Sequence, residues 1–347
     1  MNDRATFAAD ELALVLSHYD LGVIGRIKEY PRGSRKSPKV LVRCEQGEFI
    51  LKRRALGKDD PERVAFAHGV QTHLAARGFP LPSLVVTRRH GHTMIQHAGC
   101  VYELFSYIRG EAFDRSPEEA GDAGRVLAQY HKLLHDYDAP APPAMAGYHG
   151  NPGIVRGFAE IPTTFRRLAT LDDAAAEPLA TLLTYLSDSY AEATEQADRL
   201  GLAGWPAQVV HCDWHPGNTL YRGKKVVAVL DYDAVRVQQR VVDIANGVLQ
   251  FSMLGGPDEI DAWPDALDED RFRRFCGAYD AEDVVSVAEI QAIPWLMVEA
   301  LIAESVVPIA ATGSFGRIAG VGFLRMVERK VRWLKANASR LTDLLKR

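Results

Sequence analysis

A Pro-Gly pair, Pro216 and Gly217, interrupts the stretch VVHCDWHPGNTLYRGKKVVAVLDYDAV, which runs from residue 209 to residue 235. Proline and glycine together forbid a continuing helix or a central strand, so the chain must make a tight loop there. Apolar runs bracket the loop, and VVAVL (226–230) reads as a buried strand. Such a loop can turn the polar side chains on both sides of the pair toward one point.

The hydrophobic pattern changes along the chain from strand-like to helix-like. Residues 21–107 alternate apolar and polar positions, and KVLVRCEQGEFILKRR (39–54) predicts a β-hairpin. One helix is predicted between Asp60, a suitable N-cap, and Gly78. The pattern predicts an α+β fold with a small antiparallel-sheet lobe, residues 1–108, and a larger, mainly helical lobe, residues 109–347.

Composition excludes several classes of partner. The 347 residues include 41 basic and 45 acidic side chains, giving a formal charge of −4, whereas wide nucleic-acid contact needs a basic footprint. The first 20 residues carry charges throughout and do not resemble a secretory signal, and we expect no apolar run long enough to span a bilayer. Four cysteines without CxxC spacing read as reduced thiols. We therefore predict a cytoplasmic protein with neither nucleic acid nor membrane as a partner.

Three oxygen-bearing side chains flank the Pro-Gly loop. Asp213 and Asn218 lie on either side of it, and Asp231 follows the apolar strand. They supply one catalytic carboxylate and two hard oxygen ligands of the kind that suits Mg²⁺. The plainer reading is that they only form turns, as Asp and Asn often do. His211 and His215 have the spacing of a helical zinc pair, but the Pro-Gly pair argues against a helix there.

Several segments resemble one family in the same order along the chain. HCDWHPGN (211–218) resembles the H-G-D-x-H-P-G-N loop of aminoglycoside phosphotransferases, choline kinases and type II homoserine kinases. VLDYDAV (229–235) and VVDIANGV (241–248) resemble the metal-binding and D-L-A segments that follow it. FILKRR (49–54) and YELFSYIRGEAF (102–113) resemble the third strand and the hinge. The chain is thus similar to the protein-kinase-like small-molecule kinases, whose fold has two lobes.

The resemblance implies transfer of the γ-phosphoryl group of MgATP to a hydroxyl group of a small molecule. Asp213 would accept or orient the hydroxyl proton, and Asn218 and Asp231 would hold Mg²⁺. His211 would fix the loop by hydrogen bonds. His215 stands where protein kinases keep a lysine, which fits a small-molecule kinase better.

The first lobe would bind ATP. The resemblance implies that Lys52 contacts the α- and β-phosphates. Glu62, which opens the predicted helix, is the expected ion-pair partner of Lys52. Adenine would be bound by the backbone of Ser106, Tyr107 and Ile108.

The chain departs from the kinase pattern in two segments. No G-x-G-x-x-G motif occurs in the first lobe, and RGSRKS (32–37) takes its place. We predict phosphate contact there through Gly33, whose backbone allows close approach, and through Ser34 and Arg35. DYD replaces D-F-G, which leaves Asp233 as either a second metal ligand or a surface acid.

The sequence does not identify the acceptor molecule. An aminoglycoside, an amino alcohol, homoserine and a sugar are all compatible with the motif. The sequence does not indicate the oligomeric state. Trp295, Glu299 and Glu304 lie on a predicted helix where this family builds acceptor sites, although core or solvated roles are equally open. Two other functions stay open: a non-catalytic nucleotide-binding module and a protein kinase. Against the second, no segment resembles an activation loop after Asp231.

Overall fold

The computed structural model describes residues 4–31, 33–138, 146–168, 173–256 and 259–345. Within these ranges the α-helices are α1 (Ala9–Leu16), α2 (Pro61–Ala75), α3 (Pro117–Leu134), α4 (Pro152–Arg167), α5 (Asp173–Arg199), α6 (Arg240–Ser252), α7 (Glu269–Glu282), α8 (Val287–Thr312) and α9 (Gly320–Asp343). The strands are β1 (Ile24–Glu29), β2 (Lys39–Cys44), β3 (Gly47–Arg53), β4 (Ile95–His97), β5 (Cys100–Ser106), β6 (Ala207–Val210), β7 (Thr219–Arg222), β8 (Lys225–Val229), β9 (Arg236–Gln239), β10 (Ser314–Phe315) and β11 (Ile318–Ala319).

The described residues pack into two compact units that alternate along the chain. The first unit draws on Met1–Ala112, Asp136–Pro143 and Gly217–Val235, and the second on Phe113–His135, Ala144–Pro216 and Arg236–Arg347. The β7–β8 hairpin belongs to the first unit because Glu111 and Tyr221 exchange backbone hydrogen bonds of 2.8 and 2.9 Å. The division predicted from the sequence, into lobes of residues 1–108 and 109–347, stays a prediction.

The first unit is built on an antiparallel sheet. Its five strands in the described chain lie in the order β1-β2-β3-β5-β4. The predicted hairpin is confirmed as β2–β3, in which Val42 pairs with Phe49 and Val40 with Leu51. Residues 83–87, which lie within the strand-like pattern of residues 21–107, form an isolated bridge instead of a strand, from Leu84 to Phe105. Prolines just before this segment and a turn just after it keep the pairing short.

One face of the sheet packs against α1. Val15 and Leu16 of this helix contact the same buried cluster as Val42, Leu51 and Leu104 of the strands. Alternate strand residues point to one face, so these positions form a continuous apolar surface. The small helix is therefore part of the core of the first unit.

Helix α2, predicted between Asp60 and Gly78, has Asp60 as its N-cap, as the sequence indicated. The Asp60 side chain accepts a hydrogen bond of 3.0 Å from the Glu62 backbone nitrogen, and Pro61 is the first helical residue of α2. An N-cap side chain of this kind satisfies a backbone donor that the helix leaves unpaired.

The second unit is mainly helical, and α3 packs closely against α7. Gly124 has no side chain at the contact, and a Cβ atom built there would lie 2.1 Å from the Phe275 carbonyl oxygen. At Gly121, one turn earlier, the same atom would lie 3.5 Å from the Arg274 carbonyl oxygen, an ordinary contact. Glycine at residue 124 therefore sets the distance between the two helices.

Helix α8 is the one described helix that is long and apolar enough to cross a membrane, with a mean hydropathy of 1.6. Within the second unit, 78% of that apolar window is buried. A buried helix of this type is also what the core of a soluble protein requires, so the helix is weak evidence for membrane insertion.

Candidate active site

The described residues of the first unit line a cavity of about 210 Å³. The sequence predicted nucleotide or metal contact for many of its lining residues, namely Gly33, Lys52, Ser106, Tyr107, Ile108, Asn218, Asp231 and Asp233. Ser34, Arg35 and Glu62 are not among the described residues that line it. Arg32, which begins the predicted phosphate loop, lies outside the described residues.

Lys52 lies on β3 and is surrounded by carboxylates. Its Nζ atom is 3.0 Å from Asp233 Oδ1, 3.7 Å from Asp231 Oδ1 and 3.9 Å from Glu103 Oε2. Burial opposes the charge on the amine, but these three acids outweigh burial and raise the pKa of Lys52 above its ordinary value. The cavity therefore contains a permanently charged ammonium group.

Glu103 on β5 is the fully buried carboxylate at the centre of this cluster, and the sequence analysis missed it. It accepts two hydrogen bonds of 2.8 Å from Arg54, one at each oxygen, and His68 Nε2 lies 2.7 Å from its Oε1 atom. Burial opposes its charge, but Lys52, His68 and Arg54 lower the pKa of Glu103 to about 2. An acid inside the apolar strand VYELF was the available signal, because a buried acid needs a partner.

The pairing predicted between Glu62 and Lys52 is wrong. Glu62 is exposed in the first turn of α2, and within the described chain the carboxylates near Lys52 belong to Glu103, Asp231 and Asp233. The physical reason is strand register: the Cα atom of Lys52 pairs directly with that of Glu103 across β3 and β5. Residues opposite one another in a sheet are close enough to interact, so β5 supplies an acid that the helix does not.

Asn218 and Asp231 are brought together by the β7–β8 hairpin. Asn218 lies just before β7 and Asp231 just after β8, and the Leu230 backbone nitrogen donates to the Asn218 carbonyl oxygen at 2.8 Å. Asp231 has a φ angle of +59°, a left-handed conformation that aspartate tolerates better than most residues. The hairpin thus fixes both side chains at the edge of one cavity.

The donor set at this edge fits Mg²⁺. No group of three or more His, Cys, Asp or Glu side chains suited to a metal occurs in the described part of the chain. Magnesium bound with a nucleotide, however, usually takes one or two protein oxygen ligands and completes its octahedron with phosphate oxygens and water. Asn218 and Asp231 match that requirement.

Asp233 is held by two cations. Its Oδ1 atom lies 3.0 Å from Lys52 Nζ and 3.0 Å from Arg54 Nη1, and its side chain is 10% exposed. It is therefore a largely buried ion-pair partner in this structure. Burial contradicts the surface-acid alternative, and a role as second metal ligand stays a prediction.

A short loop in the second unit carries Asp213. The side chain of Asp213 is 39% exposed, and His215 Nε2 lies 3.6 Å from its Oδ1 atom. His211 is fully buried, and its ring meets that of Trp214 edge-on at 5.4 Å. The loop thus combines a buried anchor with an accessible carboxylate.

Asp243 on α6 fixes this loop, and the sequence analysis named it only within a resembling segment. Its carboxylate accepts backbone hydrogen bonds from His211 at 2.6 Å and from Cys212 at 2.7 Å. Cys212 has a φ angle of +59°, where the family motif has glycine. Burial opposes the charge on Asp243, but His131 and His211 lower its pKa. A buried acid in the apolar segment VVDIANGV was the signal.

Known proteins resemble the chain at the level of family and fold. Residues 27–283 match the phosphotransferase enzyme family (APH). The chain belongs to this family. A homoserine kinase from Xanthobacter autotrophicus is 28% identical to this chain over 228 residues, which are 65% of this chain and 64% of that enzyme. The chain therefore spans slightly less than two thirds of that relative.

Solved structures show the fold of this chain. An aminoglycoside phosphotransferase from Alicyclobacillus acidocaldarius has a TM-score of 0.67 at 15% identity, covering 99% of this chain and 98% of that one. Amicoumacin kinase in complex with AMP-PNP, Ca²⁺ and Ami has a TM-score of 0.66 at 12% identity, covering 97% and 94%. The fold class predicted from the sequence, α+β and protein-kinase-like, is confirmed.

Proposed function

We propose that this phosphotransferase is a small-molecule kinase that moves the γ-phosphoryl group of MgATP to a hydroxyl group. The observation that carries the proposal is the cavity of the first unit, where Lys52, Asn218 and Asp231 meet. An ammonium group and two oxygen ligands are the parts that triphosphate binding needs. The homoserine kinase relative supports a small hydroxyl acceptor.

In this proposal the first unit binds the nucleotide. Lys52 contacts the α- and β-phosphates, and its three carboxylate neighbours hold the amine in position. Asn218 and Asp231 would hold Mg²⁺, which when bound neutralises phosphate charge. The backbone of residues 106–108, which lines the same cavity, binds adenine.

Asp213 is the proposed catalytic base. Its carboxylate orients the acceptor hydroxyl and takes its proton as the oxygen–phosphorus bond forms and the β,γ-bridging bond breaks, releasing ADP. Positioning is most of the work in phosphoryl transfer, and Asp243 provides it by holding the loop backbone. The proposed location is the cytoplasm, in keeping with four cysteines that are free in the structure.

The direct test is an acceptor panel assayed for ADP release and for the phosphorylated product. The panel contains homoserine, amino alcohols, a sugar, an aminoglycoside and peptides. Asp213→Asn should lower kcat about 10²–10⁴-fold with an unchanged thermal shift by MgATP, since the base acts on the proton and not on the nucleotide. Asp188→Asn, an exposed change on α5, is the control and should leave kcat unchanged.

Three results would overturn the proposal. MgATP binding without transfer to any acceptor would indicate a non-catalytic module, and transfer to peptides alone would indicate a protein kinase. Near-normal turnover by Asp213→Asn would refute the role of this residue.

A further inference from the structure

Helix α8 of the second unit carries a carboxylate with neutral partners. Glu304 Oε1 accepts a hydrogen bond of 3.2 Å from the Tyr148 hydroxyl, and its Oε2 accepts one of 2.5 Å from Gln250 Nε2. The side chain is partly buried, and within the described chain it has no ion-pair partner. Arg236, whose charge acts on Tyr148, donates instead to the Ala146 carbonyl oxygen. Buried carboxylates normally have a cation nearby, so this arrangement is incomplete.

The other two acids of α8 show the contrast. Glu299 is buried, lies 3.1 Å from His149 Nδ1 and also accepts a hydrogen bond from Thr194. Glu289 lies 2.9 Å from Arg240 Nε. Each of these acids has a basic partner, whereas Glu304 has none among the residues that the structure describes. A structural role therefore explains Glu289 and Glu299 but leaves Glu304 without a counter-charge.

Glu304 is close to the loop that carries the proposed base. The Tyr148 hydroxyl that donates to Glu304 also lies 3.5 Å from the carbonyl oxygen of Cys212, the residue before Asp213. Burial and the negative charge of Asp213 together raise the pKa of Glu304 to about 7. Two carboxylates that repel one another in a partly buried site are stabilised by a cation, and this part of the second unit supplies none to Glu304.

We propose that Glu304 determines acceptor specificity by binding a protonated amine of the acceptor, whose hydroxyl group lies at Asp213. The inference rests on the proposed function and narrows its acceptor to a compact alcohol that carries an ammonium group. The amine provides the missing counter-charge, and Tyr148 and Gln250 hold the carboxylate in place. Neutral sugars and polyols lack the charge that this carboxylate requires.

The test compares acceptors that differ by the amine alone: homoserine with 4-hydroxybutyrate, and 3-aminopropanol with 1-propanol. Wild-type kcat/KM should favour the amine of each pair by at least about 30-fold, because a desolvated charge pair is strong. Glu304→Gln should remove this preference, chiefly through KM, and change kcat/KM for 1-propanol, the uncharged amine-free acceptor, less than about threefold. Glu304→Asp keeps the charge and should restore part of the preference.

The control is Glu160→Gln, which removes an exposed acid of α4 and should preserve the preference. Equal losses for the amine-bearing and amine-free acceptors in Glu304→Gln, or a wild-type preference for the amine-free member, would overturn the inference while leaving kinase activity intact. If neither pair is phosphorylated, isothermal titration calorimetry measures the binding of homoserine and 3-aminopropanol instead. Binding at least tenfold tighter to wild type than to Glu304→Gln supports the site, and equal binding overturns it. Absence of phosphorylation across the whole panel contradicts the proposed function separately.

Discussion

The carboxylate of Asp243 lies 2.6 Å from the backbone nitrogen of His211, a residue 32 positions earlier in the chain. The neighbouring nitrogen, that of Cys212, donates to the same carboxylate at 2.7 Å. Asp243 of helix α6 therefore holds the backbone of the loop that carries Asp213. These two hydrogen bonds do not depend on the side chains of the loop. His131 Nε2 lies 3.2 Å from the same acid and completes its surroundings.

Asp243→Asn should lower the free energy of unfolding by about 2–4 kcal/mol. The amide keeps one acceptor but turns a donor toward a backbone N–H, which leaves buried polar groups unsatisfied. Urea unfolding measures the change. Asp270→Asn on α7, whose side chain is 69% exposed, is the control and should stay within about 0.5 kcal/mol. A similarly small change in Asp243→Asn would contradict the anchoring role.

Lys52→Met and Lys39→Met should differ although both lysines line the same cavity. Lys52 neutralises three acids, so its loss should lower stability and weaken MgATP binding at least tenfold. Lys39 lies opposite Lys52 on β2, and burial and the charge of Lys52 lower its pKa. Its replacement relieves repulsion and should preserve or raise Tm. Thermal melts with and without MgATP measure both effects, and equal shifts in the two variants would refute this distinction.

Glu103→Gln should lower the free energy of unfolding by about 3–5 kcal/mol at pH 7, because it breaks a buried ion-pair cluster. The pKa of Glu103 in the folded protein is about 2, below the ordinary value of 4.5. Its charge therefore stabilises the fold above about pH 4.5, and this contribution is lost as pH falls toward 2. Urea unfolding at pH 7 and pH 3 should show a smaller difference between wild type and variant at pH 3. An equal difference at both values would argue against the lowered pKa.

Gly124→Ala should destabilise the second unit by about 1–3 kcal/mol, because its methyl group would overlap the Phe275 carbonyl oxygen. Gly121→Ala, one turn earlier on α3, is the matched change. It has room for a methyl group and should be neutral or stabilising by up to about 1 kcal/mol, since alanine favours a helix. Thermal melts of both variants decide, and a similar Tm for the two would refute the close helix contact.

The sequence predicted which residues line the cavity of the first unit better than it predicted their ion pairs. Lys52, Asn218 and Asp231 were recognisable because each lies at a strand or loop position that a short motif defines. Glu62 was chosen for nearness in the sequence, but pairing across the sheet brings Glu103 to Lys52. Strand order and register depend on the whole fold, so a local pattern does not contain them.

Two other features lay beyond local patterns. Asp243 is 30 residues after Asp213 in the sequence, and its role depends on the packing of α6 against the loop. The contrast among the acids of α8 depends on which partner each one meets. Spacing predicted that Glu299 and Glu304 share a helix, but it gave no indication that Glu299 has an imidazole partner and Glu304 has none in the described chain.

The alternation of the two units along the chain has an evolutionary consequence. A single recombination event between related genes, at any point from residue 113 to residue 216, would join Lys52 of one parent to Asn218 and Asp231 of the other. Chimaeras with one such junction would therefore inherit a hybrid cavity in the first unit. A single junction after residue 235 would instead exchange Gln250 and Glu304 and leave the β7–β8 hairpin with its original sheet.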